Sequence, residues 1–408
     1  MPEPIKAIFF DDDRGQLAPL NDLRPVFDVR VAARTNLERV AHVLGLEAVG
    51  LWVPDRLEAM TKDLRNEPVN AVPEGLEHVT LINGRLPVPI REVADLKLGE
   101  ALIETGSGDL IAAIAPSSTI EAVINGDHAG LSVAEHPEAV LLRRPWHARS
   151  IRDAALEQDL ADLTRRPGAD LPAGVTVVGD HPVVVHPQAT IYPTATIVAE
   201  DGPVVIARDA TIRPGVILIG PCFIGPRSVV IERATIRQNT AIGPVCKVGG
   251  EIGGTVFQGY ANKSHDGYLG DSWVGEWVNL GAGTNNSNLL NTYTDVVCQA
   301  IPGGPRERTD ETFLGAIIGD HVKAAIATRL MTGAVVHLGS MLACSAPVSG
   351  CVAPFSWLTD TGTLPYRLNK FTDTARIVMG RRDIEPTESY ITTLARLHED
   401  AMRFHRAT

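Results

Sequence analysis

The sequence predicts two folds in one chain: an α/β domain with an open parallel sheet, followed by a parallel β-helix. Three observations support this prediction. Short apolar runs alternate with amphipathic segments over residues 1–145, as strands and helices do in α/β proteins. Further along, large aliphatic residues recur every six positions. The 408 residues also include 37 Gly and 28 Pro but only 5% aromatic residues, which favours short strands joined by tight turns.

The α/β prediction depends on an ordered series of elements. Residues 5–10 form a short apolar run, typical of a buried parallel strand, and a polar turn follows. Residues 36–44 carry apolar side chains at helical spacing, so they predict an amphipathic helix that Gly45 ends. Residues 48–53 resume as a strand, and the later apolar runs cover residues 79–82 and 110–115.

A change of character near residue 170 gives the domain boundaries. Residues 146–166 are free of Gly and Pro and favour a linker helix, which Pro167 and Gly168 end. We therefore expect an α/β domain over residues 1–145 and a linker helix over 146–170. A β-helix over 171–355 and a C-terminal extension over 356–408, ending in a helix, complete the expected organisation.

The β-helix prediction comes from the period of six. Neither a helix nor an alternating strand has this period. In a parallel β-helix three short strands make one triangular coil of about 18 residues, and one aliphatic residue of each hexapeptide points inward. The narrow interior explains the scarcity of aromatic residues. The series comprises Val185, Ile191 and Ile197, then Ile206, Ile212, Leu218, Ile224, Val230, Ile236, Ile242 and Val248, and later Ile318, Ala324, Leu330, Val336 and Leu342.

Charge and composition argue against several classes of partner. A formal net charge of −12 gives no electrostatic reason to expect a nucleic acid or an anionic membrane surface. No apolar run approaches the roughly 18 residues of a membrane helix, and the N-terminus lacks the pattern of a signal peptide, so we expect a cytoplasmic protein. Five cysteines without a C-x-x-C pair favour reduced thiols over a zinc cluster.

The period of six is interrupted between Val248 and Ile318, and residues 260–293 within this interruption are rich in polar side chains. They contain H-D-G-Y-L-G-D, from His265 to Asp271, then N-L-G-A-G-T, from Asn279 to Thr284, and Asn288. This stretch resembles the acetyltransferase half of the bifunctional N-acetylglucosamine-1-phosphate uridyltransferase and glucosamine-1-phosphate acetyltransferase family. With the repeat, the resemblance extends over residues 175–355.

The resemblance implies a left-handed β-helix, a homotrimer and acetyl transfer from acetyl-CoA to an amino sugar phosphate. Such transfer needs a base for the ammonium proton and donors aimed at the developing oxyanion. His265 is implied as the base, and Tyr268 and Asn288 as substrate-binding residues. Glycine leaves room for a cofactor to approach the backbone, and the residues implied to bind acetyl-CoA are Asn279, Gly281, Ala282 and Gly283.

The chain departs from this family in the basic residues that would bind the sugar phosphate. The family usually has basic residues in the coils ahead of the histidine, whereas the basic residues of this region do not align without an offset. Arg213 and Lys263 are the candidates for this role. The C-terminal segment at residues 366–383 is also basic and suits the phosphates of coenzyme A, or else forms a solvated positive face.

Residues 11–30 resemble a divergent group of sugar nucleotidyltransferases that begin D-D-x-R-x-x-L-x-P-L-x-x-x-R-P-V. The glycine-rich phosphate loop of the full type is replaced by an Asp cluster, Val26 stands for its lysine, and Arg85 stands for its metal-binding Asp. In one interpretation arginines hold phosphates and aspartates hold Mg²⁺; in the other, the domain is degenerate and serves as a scaffold or regulator. The first interpretation assigns phosphate binding to Arg14, Arg24 and Arg30 and metal binding to Asp11, Asp12 and Asp13.

Together these resemblances predict an enzyme of nucleotide-sugar biosynthesis, of the kind that makes UDP-N-acetylglucosamine, with small-molecule sugar phosphate and nucleotide partners. One alternative is a non-catalytic scaffold or sensor that binds nucleotide sugars and coenzyme A. Another is a metalloenzyme similar to the γ-class carbonic anhydrases, for which His181 and His186 have a usable spacing. The sequence leaves the sugar, the nucleotide and the acyl group open.

Overall fold

The computed structural model describes residues 4–407, and its first part is an α/β fold built on a six-stranded sheet. Short 3-10 helices at Val26–Asp28 and Ser117–Thr119 complete it. The strands and helices are β1 (Ile5–Phe10), α1 (Asn36–Leu44), β2 (Leu46–Trp52), α2 (Asp55–Leu64), β3 (His78–Asn83), α3 (Arg91–Ala94), β4 (Glu100–Glu104), β5 (Leu110–Pro116), α4 (Ile120–Ile124) and β6 (Ser132–His136).

The sheet has the strand order β2-β1-β3-β5-β4-β6 and is mixed. Strand β1 runs parallel to β2 and β3, and β4 runs parallel to β6, but β5 is antiparallel to both of its neighbours. The prediction of an open parallel sheet is therefore wrong for β5. Only five residues, 105–109, join β4 to β5, and a connection this short permits an antiparallel pair but not a parallel crossover.

Helix α1 has the predicted bounds because both of its ends are capped. The side chain of Thr35 accepts a hydrogen bond from the backbone of Glu38, whose side chain accepts one from the backbone of Thr35. Gly45 ends the helix with a φ of 63°, a conformation that glycine adopts without strain. The prediction of a helix over residues 36–44 is confirmed.

The linker segment folds into α5 (His147–Ser150) and α6 (Arg152–Leu163). Helix α6 is tied to α1 by an ion pair between Arg39 and Asp159, with 2.7 Å between Nη2 and Oδ2 and both side chains fully buried. A buried pair of this kind leaves little freedom between the two helices. The linker is therefore part of the packed molecule.

The second part is a parallel β-helix of very short strands, and its core is a single column of aliphatic side chains. The first of these strands are β7 (Thr176–Val178), β8 (Val183–Val185), β9 (Thr190–Ile191), β10 (Thr196–Val198), β11 (Val204–Ile206), β12 (Thr211–Ile212), β13 (Ile217–Ile219), β14 (Cys222–Ile224), β15 (Val229–Val230), β16 (Thr235–Ile236), β17 (Thr240–Ile242), β18 (Lys247–Val248), β19 (Glu251–Gly253), β20 (Val256–Phe257), β21 (Asn262–Lys263), β22 (Tyr268–Gly270), β23 (Trp273–Val274) and β24 (Asn279–Leu280).

The later elements include the last coils and a C-terminal helical hairpin. They are β25 (Asn285–Asn286), β26 (Val297–Cys298), β27 (Glu307–Arg308), β28 (Ile317–Ile318), β29 (Lys323–Ala324), β30 (Arg329–Leu330), β31 (Val335–Val336), β32 (Met341–Ala343), β33 (Cys351–Val352), β34 (Ser356–Thr359), β35 (Gly362–Pro365), α7 (Leu368–Gly380) and α8 (Glu388–Ala407). No helix in the described part of the chain has the length and apolar character needed to cross a membrane.

The strands stack into three faces. The first face runs from β7 to β22 through every third strand, the second from β8 to β33, and the third from β9 to β35. The aliphatic residues of the six-residue series are buried inside, as predicted. The α/β sheet and the β-helix together confirm the predicted fold class.

The predicted interruption of the repeat is not where the coils stop. Strands β19 to β24 continue all three faces, with corners shortened by one or two residues. The chain leaves the coils only at residues 287–316, a long loop that contains the β26–β27 hairpin. A coil tolerates shorter corners as long as each strand keeps one inward residue, which is why the motif remains inside the β-helix although the period of six is lost.

The α/β fold packs against the second face of the β-helix. The indole Nε1 of Trp273 donates to the carbonyl oxygen of Arg30 at 2.9 Å, and Gln258 donates to the carbonyl oxygen of Asp28 at 2.9 Å. At the C-terminus, Ser389 of α8 contacts Asp63 of α2. The two folds therefore share one continuous packed junction.

Candidate functional site

His265 lies at the corner where the chain passes from β21 on the third face to β22 on the first face. Its side chain is exposed. The corner is tight, because a Cβ placed on Gly267 would come within 2.1 Å of the carbonyl oxygen of Thr284 in the next coil. Only glycine fits there, and this close approach of two coils presents the histidine at the edge between the two faces.

The buried side chain of Lys263 stabilises this corner from the interior of the β-helix. It stands in register with the inward residue Val248 and is 1% exposed. Its Nζ donates to the carbonyl oxygens of Gly249 at 3.1 Å and His265 at 3.0 Å. Burial lowers the pKa of this ammonium to about 8. Lys263 was predicted to bind the sugar phosphate, but the structure places its ammonium on two backbone carbonyls.

The predicted substrate residues Tyr268 and Asn288 meet on the first face. Asn288 Nδ2 donates to the Tyr268 hydroxyl at 3.1 Å and to Asp271 Oδ2 at 2.8 Å. Arg152 pairs with Asp271 at 2.9 Å. Burial, followed by the negative charge of Asp271, raises the pKa of Tyr268. These groups, with Arg237, line a cavity of about 340 Å³ that we call the first-face cavity.

Sequence analysis missed Asp271 and Arg152 as members of this group. Asp271 is within the recognised motif, but its partner Arg152 belongs to the linker helix, 119 residues earlier. Arg149 of the same linker also reaches Asp271, at 3.1 Å. Nothing in the local sequence indicates that the linker helices lie beside the motif.

Asn279 lies on the other side of the His265 corner, on the third face. It pairs in register with Asn262, whose Nδ2 donates to Asn279 Oδ1 at 2.6 Å. A second cavity, of about 500 Å³, opens over these two side chains. We call it the third-face cavity, and it is lined by Lys247, Tyr260, Asn262, Ser264, Trp277, Val278, Asn279, Lys323, Val378, Arg381 and Arg382.

The glycine segment after Asn279 is fixed by the neighbouring coils. The amide of Gly281 donates to the Ala324 carbonyl at 3.0 Å, and that of Gly283 donates to the Asp266 carbonyl at 3.1 Å. Ala282 accepts at its carbonyl from the amide of Ala327. Two of the amides predicted to approach acetyl-CoA thus already have partners. Cofactor contact by this segment stays a prediction.

Arg213 is distant from this corner. It lies just after β12, and three strand spacings of about 4.8 Å separate β12 from β21 along the third face. Its guanidinium pairs with Glu232 at 2.8 Å and lies 4.7 Å from the centre of the Tyr192 ring. The structure therefore does not bring Arg213 to His265.

In the α/β fold the aspartates predicted to bind metal follow β1, at the carboxyl end of the sheet. Asp11 accepts from the amides of Val26 at 2.8 Å and Asp13 at 3.0 Å. Burial raises the pKa of Asp11 to about 6. Asp13 is turned outwards and pairs with Arg56 at 2.8 Å. The Asp11 carboxylate therefore stabilises the loop that leads into the 3-10 helix, and the Asp13 carboxylate is neutralised by Arg56 at the surface.

The third aspartate, Asp12, pairs with Arg85. The Arg85 side chain is fully buried, and its Nη2 lies 2.6 Å from Asp12 Oδ2 and 2.7 Å from Asp109 Oδ2. Arg14 completes the group by pairing with Asp109 at 2.7 Å. The position that would suit a divalent cation between two carboxylates is thus taken by a guanidinium. These residues do not fit Mg²⁺.

A wider comparison of metal-ligating side chains agrees. Over residues 4–407, no group of three or more His, Cys, Asp or Glu residues is arranged to hold a metal ion. His181 and His186, the candidates for a carbonic-anhydrase-like zinc site, belong to no such group in this range. Both histidines lie beside β8 in the early coils, about 80 residues before His265 in the chain.

Arg24 and Arg30, predicted to hold phosphates, lie in the junction between the two folds. Arg24 pairs with Asp320 of the β-helix at 2.9 Å, and both side chains are nearly inaccessible. The Arg30 guanidinium donates to the carbonyl oxygen of Ala33. Phosphate binding by either residue would require these contacts to break. Arg14 is the exposed member of the predicted set.

Comparisons with known proteins cover both folds. Residues 7–167 match the family model described as "Sugar nucleotidyl transferase". The bifunctional protein GlmU of Methanococcus vannielii is 30% identical over 120 residues, which is 29% of this chain and 27% of that protein. GlmU of Exiguobacterium sp. is 27% identical over 245 residues, 59% of this chain and 50% of that protein. The chain thus spans half or less of the length of these relatives, and the predicted resemblance is confirmed at this low identity.

Two solved structures with partial similarity are an acyltransferase and an acetyltransferase domain. The UDP-N-acetylglucosamine acyltransferase of Francisella novicida matches with 16% identity and a TM-score of 0.22, over 52% of this chain and 75% of that one. The acetyltransferase domain of PglB from Neisseria gonorrhoeae matches with 12% identity and a TM-score of 0.18, over 88% and 98% of the two chains. Scores this low carry no argument about function.

Proposed function

We propose that this chain is a transferase of nucleotide-sugar biosynthesis, whose β-helix moves an acetyl group from acetyl-CoA to the amine of an amino sugar phosphate. One observation carries the proposal. His265 is exposed at the corner between the third face, whose cavity is lined by the adjacent Ser264 and by Asn279, and the first face, which carries Tyr268 and Asn288. A base flanked by two sites suits a reaction that joins two substrates.

The chemistry assigns a step to His265. Histidine is well suited to general-base work near neutral pH. The sugar ammonium first loses a proton to solvent; the neutral amine then attacks the thioester carbonyl, and the imidazole takes the proton that this nitrogen loses as the amide forms. The new C–N bond forms, the C–S bond breaks, and the proton passes to the departing thiolate.

Tyr268 and Asn288 are assigned to positioning of the sugar. Their mutual hydrogen bond, and the bond from Asn288 to Asp271, fix both side chains at the mouth of the first-face cavity. Preorganised polar groups of this kind lose little entropy when a ligand binds. Acetyl-CoA as the acyl donor and a homotrimeric assembly belong to the same proposal.

The α/β fold is proposed to support the β-helix, without a magnesium-dependent step of its own. The observation that favours this is the ion-pair group of Arg85 with Asp12 and Asp109, which leaves no free carboxylate pair. The match to sugar nucleotidyl transferases over residues 7–167 concerns the fold that carries this altered site. Nucleotide binding without Mg²⁺ remains compatible with the exposed Arg14.

The proposal is tested by replacing His265 with Ala. The full chain is incubated with acetyl-CoA and glucosamine 1-phosphate, and release of the free thiol is followed. General-base catalysis contributes roughly 10²- to 10⁴-fold, so we expect turnover to fall by at least about 100-fold. Gel filtration and circular dichroism verify that assembly and fold are unchanged, because His265 is exposed and has no packing role.

A matched control is His181→Ala, which removes another exposed histidine from the β-helix. We expect this variant to retain the parent rate. Unchanged turnover in His265→Ala would contradict the proposal. A parent protein that binds acetyl-CoA but yields no product with this amino sugar phosphate would instead favour the non-catalytic scaffold.

A further inference from the structure

Four polar residues form an outward column on the third face. Lys247, Asn262, Asn279 and Lys323 are successive register partners on β18, β21, β24 and β29. With about 4.8 Å between strands, the two lysines are about 14 Å apart at their Cα atoms. The column thus consists of two amide side chains with a lysine at each end, and its length suits a ligand larger than a single ion.

The end of α7 covers this column. Phe371 anchors the helix, with its ring 4.9 Å from that of Phe355 and 5.5 Å from that of His321. Helix α7 ends at Gly380, so the next two residues, Arg381 and Arg382, face the third-face cavity. The C-terminal segment was predicted to be a phosphate-binding or a solvated basic surface. The structure shows that two of its arginines line a defined cavity.

One wall of the cavity is aromatic. The Tyr260 ring stacks on Trp277, with 4.4 Å between the ring centres and 24° between the planes. Trp277 is almost fully buried, whereas Tyr260 is partly open to the cavity. A ring face of this kind packs against the carbon–hydrogen face of a sugar or against a base. The wall therefore suits an organic ligand.

The lining of the cavity is basic, and its basic side chains have no ion-pair partner among the described residues. Its eleven lining residues include four basic and no acidic side chains. Across residues 4–407, no ion pair involves Lys247, Lys323, Arg381 or Arg382, whereas Arg24, Arg39 and Arg85 are all paired. Lys323 also donates to the carbonyl oxygen of Trp277. The side chains of Lys247, Arg381 and Arg382 border one space without an anionic partner, which suits an anionic ligand.

We propose that the third-face cavity binds the phosphate group of an organic phosphate ester, with Arg381 and Arg382 as its specificity-determining contacts. The guanidinium fork matches phosphate oxygens in a bidentate manner, and lysines add point charges. Asn262 and Asn279 supply amide groups for hydroxyls beside the phosphate. The identity of the ester rests on the proposed function: it is either the amino sugar phosphate or coenzyme A.

The cavity lies beside the proposed base. Ser264, which precedes His265 in the chain, is one of its lining residues, and Lys263 fixes the carbonyl of His265 from below. An ester held by the arginines therefore has its other end near the corner. The coils lack aligned basic residues for the phosphate of the ligand. In this proposal the C-terminal extension supplies part of the phosphate-binding site.

The test is calorimetry on the full chain with two matched ligand pairs. Glucosamine 1-phosphate is compared with glucosamine, and coenzyme A with pantetheine, which carries none of its phosphate groups. In the double variant Arg381→Ala/Arg382→Ala we expect the Kd of one phosphorylated ligand to rise by about 10-fold or more, since hydrogen bonds to charged groups are the strong ones. Its partner lacking that phosphate should bind as before. Arg376→Ala removes an exposed arginine of α7 that does not line the cavity, and it should leave every Kd unchanged.

Each outcome decides the question. A loss with the sugar phosphate assigns the cavity to the acceptor, and a loss with coenzyme A assigns it to the donor. Unchanged binding of all four ligands, in the double variant and in Lys247→Met, would overturn the proposal. Binding is measured without turnover, so a failed His265 experiment leaves this result readable.

Proton uptake gives a second readout. Burial lowers the pKa of Lys323 to about 7, so this amine is mainly neutral at pH 8. A bound phosphate favours its charged form, and the complex should then take up a proton at pH 8. The uptake appears as a dependence of the binding heat on the ionisation enthalpy of the buffer. Lys323→Met should abolish the uptake.

Discussion

Arg85 shows how a single residue can change the chemistry of a fold. A guanidinium remains charged at all accessible pH values, so once buried it must be paired. Here it follows β3 and satisfies two carboxylates from separate strand ends, Asp12 and Asp109. The same carboxylates without Arg85 would repel each other and attract a cation. The Arg85 guanidinium therefore neutralises the two carboxylates, as a bound metal ion would.

The first prediction concerns this residue. In Arg85→Met we expect the free energy of unfolding in urea to fall by about 3–5 kcal/mol, because buried carboxylates lose their partner. Millimolar Mg²⁺ should then raise the Tm of the variant, since a cation can bind between Asp12, which has lost its partner, and Asp109, which keeps Arg14. The Tm of the parent should not respond to Mg²⁺.

Arg14→Met is the control, because Arg14 approaches Asp109 from the solvent side and is 43% exposed at its side chain. Its loss should cost less than about 1 kcal/mol. An equal Mg²⁺ response in the parent and in Arg85→Met would show that the guanidinium does not exclude the metal.

At the scale of elements, the coils are held together at closely packed glycines. Gly281 follows β24, and a Cβ there would lie 2.6 Å from the carbonyl carbon of Ala325 in the next coil. Gly283 is different: its φ is 70°, but a Cβ would come no closer than 3.7 Å to any atom. The first glycine is required for packing and the second for its backbone conformation.

The second prediction separates these two requirements. Gly281→Ala should destabilise the β-helix by about 1–3 kcal/mol, as overpacking does. Gly283→Ala should cost about 1–2 kcal/mol, through a left-handed backbone alone. Both are measured by urea unfolding, and the Kd of acetyl-CoA is measured in parallel.

The two readouts distinguish a packing role from a cofactor role. If Gly281 serves only to stack coils, the remaining folded Gly281→Ala protein binds acetyl-CoA as the parent does. A stable Gly281→Ala variant with a much weaker Kd would show instead that the glycine is needed for the cofactor.

At the scale of the whole molecule, the two folds are joined by charges taken out of water. Arg24 pairs with Asp320 across the junction at 2.9 Å, and Asp320 is completely buried. Burial raises the pKa of Asp320 to about 6, although the Arg24 charge opposes this shift. Glu276 lies 3.4 Å from the same guanidinium. Removal of Arg24 would leave two carboxylates facing each other.

The third prediction follows from this junction. Arg24→Met should lower the free energy of unfolding by about 3–5 kcal/mol. The loss should move the whole urea transition, because a shared junction makes the two folds unfold together. Tryptophan fluorescence, to which Trp273 at the junction contributes, and far-UV circular dichroism follow the transition.

Arg144→Met provides a matched comparison. Arg144 also crosses between the two parts, pairing with Glu307 at 2.8 Å, but both side chains are 28% exposed. Its loss should cost less than about 1 kcal/mol. Two separate transitions in the parent, with only one shifted in Arg24→Met, would contradict the expectation of coupled unfolding.

Much of the β-helix follows from the sequence because each coil is a local arrangement. The inward position of every hexapeptide is an aliphatic residue, so the period of six is visible in the amino-acid sequence, as from Ile206 to Val248. The motif around His265 is equally local, and its place at a corner follows from Gly267. Helix α1 has the predicted ends because its caps, Thr35 and Gly45, are adjacent to it.

What the sequence by itself determined was therefore the fold class, the repeat and the identity of the exposed histidine, all of which depend on neighbours in the chain. Only the tertiary structure decided which distant charges meet. It buried Lys263, placed Arg85 between two carboxylates, and brought Arg381 and Arg382 over Lys247 and Lys323. Side chains on separate coils and helices come together only when the coils stack and α7 packs against them, and no local spacing encodes that distance.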